Sequence, residues 1–138
     1  MSSQPIRIDE ETLRALRERS RRGGEPLARL AERYIEEGLR TDRHPGIMFR
    51  DGPAGRRAVV IGGPDVWEVV GAVRSMPERG EARVPALAER LGISENKVRV
   101  AIRYYGEYPE EIDSWIASND EEADRLEAAL AHERELLA

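Results

Sequence analysis

The sequence contains no cysteine, one phenylalanine and, among 138 residues, a single lysine, Lys97. Without cysteine there can be no disulfide, no thiol catalysis and no cysteine-based metal site. The apolar runs are short, as in Ala58–Ile61, whereas a helix that crosses a bilayer needs about 20 apolar residues. The N-terminal segment MSSQPIR also lacks the apolar core of a signal peptide. We therefore expect a soluble, cytoplasmic protein that does not bind membranes.

Signatures of catalysis are also missing. The sequence shows no nucleophile–base pair, no glycine loop of the phosphate-binding type and no carboxylate cluster in an apolar setting. The two histidines, His44 and His132, lie far apart in the chain, so we interpret His44 as a structural residue before a proline turn. We expect no catalytic residues, no metal and no cofactor.

Negative charge is scarce at the front of the chain and concentrated at its end. The net charge is +3 over residues 1–60, +1 over residues 61–103 and −9 over residues 104–138. The first two regions tolerate a polyanion, whereas the last region repels one. The acidic end is also consistent with a helix that is simply solvated.

The first forty residues predict a short strand and two helices. Ile6-Arg7-Ile8 alternates apolar and polar residues, as a strand with one buried face does. Asp9 is a favourable N-cap for a first helix, which Gly23-Gly24 ends. Pro26 then permits a new helix start. The second helix has apolar or small residues at helical spacing, namely Leu27, Leu30, Ala31, Tyr34, Ile35, Gly38 and Leu39.

This order of elements resembles the ribbon-helix-helix fold of CopG-type regulators. The resemblance implies an intertwined homodimer whose two N-terminal strands pair as a ribbon. It also implies that outward strand residues enter the major groove of DNA. By alternation the outward residues are Ser3, Pro5 and Arg7, flanked by Gln4, and Arg7 is the strong base reader. Glu25-Pro26 stands where the family places a phosphate-binding serine or threonine, so a dimerisation module that does not read DNA remains the alternative.

After a predicted linker at residues 41–46, the chain predicts a β-hairpin. Two short apolar segments, 47–50 and 56–61, flank a turn rich in glycine and proline at 51–55. A helix that Asp65 caps should begin at Val66.

Residues 84–103 carry the pattern of a helix-turn-helix. A first helix with Leu87, Ala88 and Leu91 on one face is followed by a turn at Gly92 and by Ser94, a favourable N-cap. Ile93 should fill the corner, while Val98, Ala101 and Ile102 should point into the core. Such a unit reads DNA in many regulators, although small helical domains also use it for packing alone. The candidate DNA-binding residues are Ser94, Glu95, Asn96, Lys97, Arg99 and Arg103.

The acidic region 110–138 predicts a partner-binding tail. Large apolar residues recur at helical spacing near its start, and a second helix from about Asp120 to Leu137 carries a further apolar stripe. An acidic amphipathic helix of this kind suits docking in the groove of a partner. Packing on its own domain or on its twin in a dimer is the alternative. The candidate partner-binding residues are Ile112, Trp115, Ile116, Leu126, Leu130 and Leu137.

Residues 44–116 also resemble a family of small helix-turn-helix antitoxins. The resemblance rests on the opening His44-Pro45-Gly46-Ile47 and on a closing pattern. That pattern consists of Val98, Ala101, Tyr104, Tyr105, Tyr108, Pro109, Glu111, Ile112 and Asp113. It implies a VapB-like antitoxin of a type II toxin-antitoxin module, which neutralises a PIN-like ribonuclease toxin and binds operator DNA to regulate its own operon.

The predicted fold is mainly α with short β. It comprises a ribbon-helix-helix dimerisation unit at 1–40, a β-hairpin plus helix-turn-helix domain at 47–109 and an acidic helical tail at 110–138. Two other functions remain open at this point. One is a dimeric transcription regulator with no toxin, and the other is an adaptor that does not bind DNA.

Overall fold

The computed structural model describes residues 3–138. The chain is mainly helical with one two-stranded antiparallel sheet, which confirms the predicted class of mainly α with short β. It divides into two compact units, residues 1–43 and residues 44–138. We call them the N-terminal unit and the C-terminal unit.

The N-terminal unit consists of two helices, α1 (Glu10–Gly23) and α2 (Leu27–Arg43). Asp9 caps α1 as expected, since its carboxylate accepts a hydrogen bond from the backbone N–H of Thr12 at 3.1 Å. Leu30 is the buried side chain of this pair of helices. The predicted linker was wrong in its first half, because α2 continues through residues 41–43 before the unit ends.

The expected strand around Ile6–Ile8 is not formed in the single chain. Residues 3–9 have neither helical nor strand conformation and are exposed. A lone strand has no partner for its backbone N–H and C=O groups, and the rest of the described chain supplies none to this segment. Pairing of this segment with a second copy of the chain stays a prediction.

A β-hairpin opens the C-terminal unit. Strand β1 (Ile47–Gly52) pairs antiparallel with β2 (Gly55–Val60), in a register that joins Ile47 to Val60 and Gly52 to Gly55. The turn is therefore the two residues Pro53 and Ala54, shorter than the turn predicted at 51–55. The hairpin buries Ile47, Ala58 and Val60 in the core of this unit.

Three helices complete that core. They are α3 (Val66–Ser75), α4 (Arg83–Leu91) and α5 (Glu95–Glu107), with a 3-10 turn at Gly80–Ala82 before α4. The most buried residues of the three helices have little or no solvent exposure, and they include Val66, Val69, Leu87, Val98, Ala101 and Tyr104.

The acidic tail is one long helix, α6 (Pro109–Leu137). The sequence suggested an interruption before Asp120, but residues 117–120 include neither glycine nor proline, the residues that most strongly break helices. At 1.5 Å per residue the helix is about 43 Å long. Its first turns pack on the core that the hairpin and the other helices of the C-terminal unit form, whereas every residue from 117 onward is exposed.

Candidate functional site

The turn between α4 and α5 has the local geometry that the sequence predicted. Gly92 ends α4 in the left-handed region with φ 67°, where a side chain would be strained. The backbone N–H of Ile93 donates to the carbonyl oxygen of Ala88 at 3.0 Å. The hydroxyl of Ser94 then accepts a hydrogen bond from the backbone N–H of Lys97 at 3.2 Å. These bonds fix where α5 begins and in which direction it leaves the turn.

One face of α5 points to solvent over its whole length. Glu95, Asn96 and Arg103 are exposed and Arg99 is half-buried. Because a helix repeats every 3.6 residues, these four side chains project from the same side. We call them, together with Ile102, the outward face of α5. Its polar members are candidate DNA-binding residues from the sequence, and the fold brings them together on one surface.

Two apolar residues of the helix-turn-helix pattern lie at the edge of the core. Ile102 is 36% exposed and Leu91 is 38% exposed. In α5 the buried side is formed by side chains that include Val98, Ala101 and Tyr104. The side chain of Ile102 projects next to this side, at the border with solvent. The prediction that Ile102 points into the core was wrong. Its side chain is the apolar member of the outward face.

The cations at this surface have different surroundings. Arg99 donates to the carboxylate of Glu81 at 2.8 Å, and the Lys97 ammonium donates to the carbonyl oxygen of Gly62 at 3.0 Å. Within residues 3–138, Arg103 makes neither an ion pair nor a side-chain hydrogen bond. The hydrogen bond and charge of Arg99 lower the pKa of the Glu81 carboxyl. That pair is exposed, and exposed pairs of this kind contribute little to stability.

A shallow groove of about 430 Å³ runs beside the outward face and is bordered by four arginines. Arg99 and Arg103 come from α5, Arg74 from α3 and Arg83 from the start of α4, with Ile102 contributing an apolar wall. The sequence did not single out Arg74 or Arg83. Only the packing of three helices brings them to this groove, and no spacing along the chain signals it.

The tyrosines of the closing pattern join α5 to the start of α6. The hydroxyl of Tyr104 donates to the Glu111 carboxylate at 2.6 Å, and that of Tyr105 donates to the Asp113 carboxylate at 3.0 Å. Arg74 also donates to Asp113, and to the Tyr105 hydroxyl at 2.7 Å. This hydrogen bonding lowers the pKa of Asp113, with the bond from Arg74 as the largest cause. The pattern thus has a structural role at this junction.

His44 belongs to the same region. Its Nε2 lies 2.7 Å from the carboxylate of Glu107, and its ring makes edge contacts with Tyr104 and Tyr108 at centroid distances of 5.3 and 5.8 Å. The histidine thereby ties the start of the hairpin to the end of α5. Over residues 3–138 there is no group of three or more histidine and acidic side chains placed to hold a metal ion.

The candidate partner-binding residues fall into two groups. Ile112 is 1% exposed in the core, so the prediction that it binds a partner was wrong: its apolar side chain is already covered by its own domain. Trp115 and Ile116 are half-buried. The remaining three lie in the part of α6 from residue 117 onward, which we call the exposed half of α6. They are Leu126, Leu130 and Leu137.

The other DNA-binding candidates lie in the N-terminal unit. Ser3, Gln4 and Arg7 are exposed in the segment that precedes α1. At the start of α2, the carboxylate of Glu25 accepts hydrogen bonds from Nη2 and Nε of Arg33 at 2.8 and 3.3 Å. A carboxylate therefore occupies the region where the resemblance would place a DNA phosphate.

None of the helices in residues 3–138 combines the length and the hydrophobicity needed to cross a bilayer. No protein-family model, curated protein or solved structure matches this chain.

Proposed function

We propose that the chain is a DNA-binding antitoxin that acts as a homodimer. In this proposal the outward face of α5 contacts operator DNA. The exposed half of α6 binds a PIN-like ribonuclease toxin, and the N-terminal unit joins two copies. The observation that carries the proposal is the outward face itself, a solvent-exposed helix surface with two arginines and an amide on the second helix of a helix-turn-helix pattern.

The residue types on this face suit duplex recognition. Arg99 and Arg103 can contact phosphates or guanine edges, and Asn96 can contact adenine. In the free protein Glu81 pairs with Arg99. Because the pair is exposed, a DNA phosphate can replace Glu81 as the partner of Arg99 at small cost.

The exposed half of α6 has the charge and the apolar stripe of a protein-binding helix. Residues 117–138 have a net charge of −5 and no buried residue. Leu126, Leu130 and Leu137 recur at spacings of four and seven residues, which places them along one side of the helix. Two such helices repel each other, so a partner with a basic groove, as an RNA-cleaving toxin has, fits better than a second α6.

The N-terminal unit supports dimerisation. Tyr34, Ile35 and Leu39 of α2 are 44%, 49% and 63% exposed. A second copy that packs against this side of α2 would cover them, and it would also give the segment around Arg7 a strand to pair with.

The DNA contact is tested by the matched variants Arg103→Gln and Arg134→Gln. A preferred duplex is first selected from randomised DNA, and affinity is then measured by fluorescence anisotropy over a range of salt concentrations. We expect Arg103→Gln to weaken binding about tenfold and to lower the salt slope by about one. Arg134→Gln, on the acidic helix, should change neither. Equal affinities for both variants would show that Arg103 is not a DNA contact and would leave the segment around Arg7 as the candidate. No binding to any duplex would favour the adaptor function instead.

Removal of the Glu81 carboxylate, which pairs with Arg99, should change DNA affinity in the opposite direction. Glu81→Gln should raise DNA affinity a few-fold, because Arg99 loses its competing partner and one negative charge leaves the surface. Glu89→Gln, an exposed carboxylate on α4, removes the same charge without freeing Arg99. If the two variants strengthen binding equally, the effect is one of overall charge and Arg99 is not a DNA contact.

The toxin contact is tested by coexpression with the product of the neighbouring reading frame. We expect a stable complex that Leu126→Ser with Leu130→Ser abolishes. Leu136→Ser should leave it intact, since Leu136 is 86% exposed and projects about 80° to 120° away from the three residues of the stripe. A chain that binds DNA but captures no such protein would be a transcription regulator without a toxin.

A further inference from the structure

A second cleft of the C-terminal unit has a volume of about 630 Å³. It is formed by the hairpin turn, the start of α3 and the part of α6 where the helix leaves the domain. Trp67 and Trp115 both line it, and they are the only tryptophans of the chain. We call it the tryptophan cleft.

Neighbouring groups hold both indoles in place. The Nε1–H of Trp67 donates to the carboxylate of Asp65 at 3.1 Å, and Asp65 also accepts a hydrogen bond from Arg57. On the opposite side, a Cβ built on Gly55 would lie 3.6 Å from Cη2 of Trp115, so the indole covers the hairpin turn. The cleft therefore has two preformed aromatic walls.

The cleft is negatively charged. Its charged lining residues are Arg57, Asp65, Glu68 and Glu122, and the first two neutralise each other in an ion pair. Within the described chain Glu68 makes no ion pair. Glu122 contacts Arg125 at 3.3 Å in a pair whose side chains are more than 70% exposed, and such a pair exchanges partners at little cost.

We propose that the tryptophan cleft binds an arginine side chain of a protein partner. A guanidinium is planar and weakly hydrated, so it stacks on the face of an indole and donates to carboxylates in the same plane. The two indoles and the carboxylates of Glu68 and Glu122 offer both interactions. A lysine ammonium would gain less, since it is a compact and strongly hydrated charge.

The inference deepens the protein-binding part of the proposed function and rests on it for the nature of the partner. Ser118, Asn119 and Glu122 line the cleft and belong to the first exposed turns of α6. A basic partner that lies along the exposed half of α6 would place its nearest arginine beside Trp115. The cleft would then anchor one end of that interface.

Because both tryptophans lie at the cleft, intrinsic fluorescence reports its occupation directly. The full-length protein is titrated with N-acetylarginine amide and, in parallel, with N-acetylcitrulline amide, which has nearly the same shape but no charge. We expect a saturable change in tryptophan emission with the arginine probe in the millimolar range, and an affinity about tenfold lower or undetectable with the citrulline probe. Equal responses to the two probes, or no saturation with arginine, would overturn the proposal.

Matched variants separate the cleft from the general acidity of α6. Glu68→Gln with Glu122→Gln should weaken the arginine probe about tenfold. Glu121→Gln with Glu127→Gln removes the same charge from exposed positions outside the cleft and should leave affinity unchanged. If both double variants weaken binding equally, the cleft has no specific role. Neither DNA nor toxin is present, so this result is independent of the tests of the proposed function.

Discussion

The two units of the chain bury apolar side chains to very different extents. The C-terminal unit has a core of fifteen buried residues drawn from the hairpin, from four helices and from Met76, which follows α3. Among residues 3–43, Leu30 alone is buried, while Ile6, Tyr34, Ile35 and Leu39 remain at least 44% exposed. A pair of helices with so little burial cannot offset the conformational entropy lost on folding.

Under the proposed function, this difference distinguishes the partners of the two units. The C-terminal unit has a complete core, so a partner can only bind to its surface, at α5 or along α6. The N-terminal unit exposes the side chains that would form a core, so in the proposed dimer a partner supplies the other half of that core. A second copy of the same chain meets this need without any further component.

The largest expected effect comes from separating the units. Residues 44–138 alone should unfold cooperatively at a temperature that does not depend on protein concentration. Residues 1–43 alone should be largely unfolded when dilute and gain helix as concentration rises. Circular dichroism over a hundredfold range of concentration checks both. A fragment 1–43 whose helix content is high and independent of concentration would contradict the comparison.

Within the C-terminal unit, the position of a leucine relative to the core should decide its contribution. Leu87 is fully buried, whereas Leu91, one turn later on α4, is 38% exposed. We expect Leu87→Ala to lower the free energy of unfolding by about 3 kcal/mol and Leu91→Ala by less than about 1 kcal/mol. Denaturant unfolding measures both. Similar losses for the two variants would mean that a partner covers Leu91.

In the N-terminal unit, by contrast, we expect an exposed leucine to contribute strongly, because it stabilises the dimer. Leu39 is 63% exposed in the single chain, and an exposed leucine in a monomer contributes within about 0.5 kcal/mol. If a second copy covers it, Leu39→Ala should weaken dimerisation by about 2 kcal/mol. Analytical ultracentrifugation measures this, with Leu136→Ala as the exposed control. An unchanged dimerisation constant would place the dimer contact elsewhere.

The sequence predicted those features that depend on a few neighbouring residues. Asp9 and Ser94 cap their helices through bonds to residues three positions later, and Gly92 ends α4 in the conformation that its missing side chain permits. Side-chain and backbone chemistry within one turn determines such boundaries. The hairpin and the first five of the six helices could be located from similar local signals.

Features that depend on distant contacts could not be predicted in this way. Periodicity placed Ile102 in the core and Ile112 in a partner site, and the structure reverses both. Which side of an amphipathic helix is covered depends on how its neighbours cross it, and a helical pattern alone does not contain that information. For the same reason neither the arginine groove nor the tryptophan cleft was visible, because each collects residues from three or more elements.

The smallest expected effect concerns whether surface ion pairs add to the stability of the C-terminal unit. Arg74 and Asp113 join α3 to α6 with side chains that are 46% and 47% exposed. The hydrogen bond from Arg74 lowers the pKa of Asp113 below its ordinary value of 3.8. A carboxyl whose folded pKa is lowered stabilises the fold above its unfolded pKa, and this contribution is lost as the pH falls through the folded value.

Arg74→Gln should therefore raise the pKa of Asp113 toward 3.8. It should cause a small loss of stability at neutral pH, and this loss should disappear as the pH falls below the folded pKa of Asp113. Carboxyl carbon shifts in an NMR titration report the pKa directly, and Arg79→Gln, an exposed arginine with no ion pair among the described residues, is the control. A pKa of Asp113 that is identical in both variants would show that Tyr105 holds the carboxylate without Arg74. The contrast between the units would then come from apolar burial alone.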